Sequence, residues 1–138
     1  MTMRLSKLAD YAVVVMCEAA RHCDGGRISA SALAGATGLP VPTVQKLVSR
    51  LTAAGLLRSV RGAQGGFQLG RPAAAISLAD IIEAMEGPIA LTVCHEEDRC
   101  PVDSGCRVRP HWRGVNEAVR GALAGVSLTA LAREKEYA

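Results

Sequence analysis

The sequence predicts a mainly α-helical fold carrying one small β-hairpin, and three observations predict it. Apolar residues recur at intervals of three and four in several separate stretches. Glycine and proline punctuate the gaps between those stretches. Two short β-prone runs bracket a glycine-rich tip at residues 61–66. The 138 residues suit one compact domain with an appended helix. No apolar run reaches the roughly 20 residues that span a bilayer, and residues 1–5 lack the pattern of a secretory signal. A cytoplasmic protein with no membrane partner is therefore expected.

The first helix is expected over residues 6–22. Leu5, Leu8, Ala12, Val15, Met16 and Ala19 form its apolar stripe, while Lys7, Asp10, Glu18 and Arg21 lie off it. Residues 24–26, Asp-Gly-Gly, end it. Ser29 caps a short second helix through Leu33, Ala34 and Ala36, and the run from Thr37 to Pro40 is a turn. A third helix starts near Pro42, since proline in a first turn sacrifices no helical hydrogen bond. Val44, Leu47, Val48 and Leu51 face inward, leaving Thr43, Gln45, Lys46, Ser49 and Arg50 outside, and Gly55 stops the helix. Short helix, glycine turn and helix with a polar outer face make a helix-turn-helix pattern.

The hairpin follows at once, with strands over residues 56–60 and 67–69 and with Arg58, Arg61 and Arg71 along it. A basic hairpin directly after such a helix is the wing of a winged helix-turn-helix; the bland alternative is a solvent-facing hairpin. Ser77 and Asp80 resemble a capping box for a fourth helix with Leu78, Ile81, Ile82 and Met85 on its core face, closed by Gly87 and Pro88. Residues 88–110 read as irregular. After Pro110 a longer helix reaches about Ala124, with Trp112, Val115, Val119, Ala122 and Leu123 on one face, and residues 127–133 form a last helical turn. The long helix pairs with a second copy, which implies a homodimer and pseudo-palindromic half-sites, or folds back on helix one, or divides its face between the two. The domain division is residues 1–87 for the winged helix, 88–110 for a cysteine-rich loop, and 111–138 for the dimerisation helix and tail.

Charge is uneven along the chain. Residues 1–75 hold nine of the sixteen Lys and Arg but three of the thirteen acids. A basic front half is the footprint of a phosphate-binding surface, although an ordinary solvated surface would look similar. Aromatics make up 3% of the chain, too few for stacking platforms on single strands, so the nucleic-acid partner expected is double-stranded DNA. Gln45, Lys46, Ser49 and Thr43 would meet base edges in the major groove, while Arg50, Arg58, Arg61 and Arg71 would meet phosphates or the minor groove.

Cys94, Cys100 and Cys106 stand five residues apart within the irregular segment. Core cysteines sit on apolar stripes, cytosolic disulfides are unusual, and the close Cys-x-x-Cys pairs typical of zinc are absent. Soft thiolates suit a metal or an iron–sulfur cluster; a bare thiol redox switch is the other reading. Three thiolates leave one position open, for which His95, Glu96, Glu97, Asp98, Asp103 and His111 are candidates. Cys17 belongs to the packing of helix one, and Cys23 fits either role.

Three runs carry a resemblance: residues 4–14 (Arg4-Leu-Ser-Lys-Leu-Ala-Asp-Tyr-Ala-Val-Val), residues 47–56 (Leu47-Val-Ser-Arg-Leu-Thr-Ala-Ala-Gly-Leu) and residues 60–67 (Val60-Arg-Gly-Ala-Gln-Gly-Gly-Phe). Together with the evenly spaced cysteines they resemble the Rrf-two family of winged-helix transcription regulators, over nearly the whole chain. The resemblance implies a dimeric repressor or activator whose Cys94, Cys100 and Cys106 hold an iron–sulfur cluster, 4Fe-4S or 2Fe-2S, which can be lost from protein prepared in air. In IscR-like members a histidine three residues after the last cysteine is the fourth ligand; here that position is Arg109. In NsrR-like members an aspartate of helix one in the partner subunit serves instead, and the matching residue here is Asp10. The segment from Leu5 to Tyr11 is most similar to regulators of the SUF iron–sulfur assembly operon.

The expected function is transcription regulation by cluster status, with a nitric oxide sensor or a cluster-free thiol or zinc sensor as alternatives. A cluster carrier would need neither the helix-turn-helix nor the basic hairpin. An enzyme is not expected: no nucleophile–base pair or phosphate loop is evident, and His22, His95 and His111 have no evident catalytic partner.

Overall fold

The computed structural model describes residues 5–22, 26–61, 65–90, 107 and 109–133. Cys94, Cys100 and Cys106 lie outside them, as do Cys23 and residues 62–64 of the hairpin tip.

Helix α1 (Lys7–Arg21) is the central pillar. Ser6 caps it, its Oγ accepting the Ala9 amide at 3.1 Å. Ala9, Ala12, Ala19 and Ala20 are buried beside Val15 and Met16. Small side chains let helices approach this pillar from several sides without leaving voids. Ser29 caps α2 (Ala30–Thr37), and Gly38, at φ 78, turns the chain into α3 (Val41–Ala53). Pro40 and Pro42 flank the start of α3, which begins one residue earlier than the sequence pattern suggested. Val44, Leu47, Val48 and Leu51 bury its inner face. Each large aliphatic buried here contributes roughly 1.5–3 kcal/mol relative to an exposed position.

Strands β1 (Leu57–Val60) and β2 (Gly66–Leu69) pair antiparallel, Leu57 opposite Leu69 and Arg58 opposite Gln68. A third segment joins them. Ile28 and Phe67 exchange both backbone hydrogen bonds, at 3.1 and 2.9 Å, so the hairpin is stitched to the residues just before α2. This junction demands glycine at position 66, where a Cβ would lie 2.8 Å from the Ile28 carbonyl oxygen.

A 3₁₀ turn (Ala73–Ala75) leads to α4 (Leu78–Glu86), whose N-terminus carries the expected capping box: Ser77 Oγ accepts the Asp80 amide, and Asp80 accepts the Ser77 amide. Helix α5 (Arg109–Ala124) packs on α4. Residues 126–128 then pair with residues 76–78 through Leu78 N to Val126 O and Leu128 N to Ile76 O, both at 2.8 Å. The last helix, α6 (Leu128–Ala132), lies on α1, with Leu128 fully buried. No helix among the described residues is long and apolar enough to cross a membrane.

Candidate nucleic-acid interface

The two faces of α3 follow from its period. Burying Val44, Leu47, Val48 and Leu51 leaves Gln45, Lys46, Ser49 and Arg50 exposed together, with Thr43 half-buried at the edge. All five residues expected to meet DNA from this helix therefore lie off its buried stripe. Arg50 has a second commitment: its Nη1 donates to the Met85 carbonyl at 3.4 Å, tying α3 to the last turn of α4.

The hairpin carries its arginines outward. Arg58 and Gln68 are cross-strand partners, and the guanidinium donates to Gln68 Oε1 at 2.7 Å, which fixes its direction while leaving further donors. Arg61 is exposed where the first strand ends. Arg71 lies 3.6 Å from Asp80, an ion pair with both partners partly in solvent and so of little energetic weight. Arg58 and Arg71 line an open cleft of about 480 Å³, with Gly26, Gln68, Gly70 and Pro72 as other walls. Two guanidinium groups at one cleft suit a phosphate oxygen.

One basic residue escaped the sequence reading. Arg27 is exposed beside Ile28, so the Ile28–Phe67 bridge delivers its charge to the edge of the hairpin. A strand of a single residue pair has no alternation to detect. The nearest signal was a β-branched residue between a glycine-rich turn and a helix cap.

Asp10 is exposed in the first turn of α1, where the helix dipole favours a carboxylate. Among the described residues it forms no ion pair with Lys7. The first turn of α1 also touches the end of α4, because the Ser6 amide donates to Glu86 Oε1 at 3.1 Å. In sequence, the segment bearing the three cysteines follows α4. Among the described residues no group of three or more His, Cys, Asp or Glu side chains is placed to hold a metal ion. Cys17 is buried in α1, and burial pushes its thiol above the usual range, partly offset by Arg21. It is a packing residue.

The model of the Rrf2 (Rrf-two) family, described as an iron-dependent transcriptional regulator, matches residues 5–134. The chain belongs to the Rrf2 family. Among its relatives, the HTH-type transcriptional regulator IscR of Xenorhabdus nematophila is 32% identical over 134 residues, covering 97% of this chain and 82% of that protein. Among solved structures, CymR, the global cysteine regulator of B. subtilis, superposes with a TM-score of 0.75 at 34% identity, covering 95% of this chain and 97% of that one. IscR of T. potens superposes with a TM-score of 0.72 at 29% identity, covering 95% of this chain and 87% of that one. This Rrf2 protein is thus a winged-helix transcriptional regulator of the IscR-like kind, and DNA binding is the activity its family shares.

Proposed function

We propose that this Rrf2 protein is a homodimeric DNA-binding regulator of the cytoplasm that adjusts transcription to iron–sulfur cluster status. The observation that carries the DNA-binding half is the continuous exposed face of α3, Gln45, Lys46, Ser49 and Arg50, standing beside an arginine-bearing hairpin. Gln45 and Lys46 would pair with adenine and guanine edges in the major groove, with Ser49 and Thr43 at its margin. Arg50, Arg58, Arg61 and Arg71 would hold phosphates or lay the wing in the minor groove, fixing register without reading sequence. Residues 1–87 would thus read DNA.

Residues 111–138 would supply dimerisation. Within its own chain α5 leaves Val115 45% exposed and Trp112, Val119 and Leu123 only half-buried. Covering that stripe with a second copy creates two-fold symmetry and a pseudo-palindromic operator.

The sensing half rests on residues 88–110. The donor set suits an iron–sulfur cluster: Cys94, Cys100 and Cys106 are soft thiols, and Asp10 is an exposed carboxylate with no ion pair among the described residues. Those three cysteines, completed by Asp10 of the partner subunit, would hold a 4Fe-4S cluster; a 2Fe-2S cluster would take another fourth ligand. When bound, the cluster supplies a centre sensitive to oxidants and nitric oxide. Ligation would hold the three thiolates to one centre and so shift the population of dimers whose recognition helices match the operator. The similarity of the segment from Leu5 to Tyr11 to regulators of the SUF operon supports genes of iron–sulfur assembly as targets.

Anaerobic absorbance and Mössbauer spectra, with iron and sulfide counted per chain, test this reading. A four-iron signature supports ligation by Asp10, and a two-iron signature moves the fourth ligand elsewhere. Neither iron nor sulfide after reconstitution overturns cluster sensing and leaves zinc or thiol chemistry to the three cysteines.

A further inference from the structure

Helix α4 ends in a way that does not serve its own stability. Glu83 and Glu86 stand at its C-terminal end, and no basic residue lies in its last turn, although the dipole there disfavours negative charge. Both carboxylates bind groups outside the helix. Glu86 holds the amide of Ser6 at the cap of α1. Glu83 Oε2 accepts the Ile89 amide at 3.3 Å, while its Oε1 receives Arg120 of α5 at 3.0 Å from Nε and 2.7 Å from Nη2.

The carbonyl side of the same residue is held as well. Asn116 Nδ2 of α5 donates to the Ile89 carbonyl at 2.9 Å. Asn116, 7% exposed, is the buried polar side chain among the described residues. Gly87, at φ 82 and ψ −171, turns the chain out of α4 through a backbone region open essentially to glycine alone, which delivers Ile89 between the two helices. Two residues farther on begins the segment that carries Cys94 and Cys100. One residue at the stem of that segment is therefore gripped on its N–H by α4 and on its C=O by α5. Beside it, the Met85 carbonyl receives Arg50 of α3.

We propose that Ile89 and its clamp of Glu83, Asn116 and Arg120 form the joint through which the cysteine segment sets the pose of α5 and, by way of Met85 and Arg50, of the recognition helix α3. The inference rests on the reading of residues 88–110 as the sensor. Glu83, Asn116 and Arg120 are positioning residues that touch neither DNA bases nor cluster. A pull on the stem strains both hydrogen bonds of Ile89, since the two planar peptide groups they hold meet at the Ile89 Cα. That gives an element with two arrangements, which either end can bias.

The test uses the full chain, cluster-free and cluster-loaded, as wild type, Asn116→Ala and Glu83→Gln. Glu83→Gln keeps an acceptor for Ile89 but removes the charge facing Arg120, and it carries the test if Asn116→Ala does not fold. Amide hydrogen exchange over residues 85–90 is read together with affinity for the DNA upstream of the protein's own gene. Exchange at Ile89 should speed by about tenfold or more in Asn116→Ala, and the ratio of loaded to cluster-free DNA affinity should shrink by about fivefold or more. Unchanged exchange, or faster exchange with an unchanged ratio, overturns the joint. If the wild type shows no loaded-to-free difference, the sensor reading has failed, and the joint is judged on cluster-free protein alone. There, Asn116→Ala must still alter DNA affinity by about fivefold; an affinity equal to wild type overturns it.

Discussion

Replacing Gly70 by alanine should force the wing away from the end of the recognition helix. The Gly70 amide donates to the Leu56 carbonyl at 3.0 Å, and a Cβ built on Gly70 would lie 2.3 Å from the Gly55 carbonyl oxygen and 3.1 Å from its carbon. Ordinary carbon–oxygen contacts begin at about 3.4 Å, so the two backbone segments must part by about 1 Å. Neither can yield by rotating a side chain. Gly55 is itself held at φ 80, where it terminates α3. Overpacking strain of about 1–3 kcal/mol and a weakened hydrogen bond of about 1 kcal/mol sum to about 3 kcal/mol. For a domain of this size that lowers Tm by about 10 °C. Circular dichroism melts of wild type, Gly70→Ala and Gly35→Ala provide the assay. Gly35 lies within α2 with nothing inside 4 Å of its Cβ position, so alanine there should stabilise by about 0.5–1 kcal/mol. The opposite signs are the point of the comparison. A Gly70→Ala protein melting within a degree or two of wild type would refute the close approach.

Leu47 is fully buried, and Leu47→Ala should cost about 2–5 kcal/mol in denaturant unfolding. Gln45→Ala on the opposite face should leave stability within about 0.5 kcal/mol while weakening specific DNA binding by about 1–3 kcal/mol in a titration. Arg58→Gln should lower affinity across sequences and flatten the plot of log affinity against log salt by about one unit. Burial holds the Cys17 thiol protonated above the ordinary thiol range, so native protein at neutral pH should resist alkylation there. Mass spectrometry should find Cys17 modified only as pH rises beyond that range or when denaturant unfolds α1.

The helices were legible because their ends are written in side chains. Ser6, Ser29 and Ser77 each accept an amide three residues on, and Gly38 and Gly55 adopt the left-handed backbone that stops a helix. The inward stripe of α3 was legible for the same reason, since burial follows the helical period. Three features were not. The Ile28–Phe67 bridge is a single pair, too short to alternate. Arg50 was read for DNA alone, because its tie to Met85 joins residues 35 apart in sequence. The long helix was expected to pair with another copy, to fold back on α1 or to divide its face between the two, yet its main contact in its own chain is α4. The groups that decide this, Glu83, Ile89, Asn116 and Arg120, are ordinary polar and apolar residues until the fold brings them together.

The account turns on one comparison, best made anaerobically with a single preparation split into cluster-loaded and cluster-free halves. Each half, as wild type and as Cys100→Ala, is titrated against DNA from upstream of the protein's own gene. The wild type should show two distinct affinities, both falling steeply with salt, and Cys100→Ala should show one. Equal affinities for the two wild-type halves, or switching that persists in Cys100→Ala, would contradict the account.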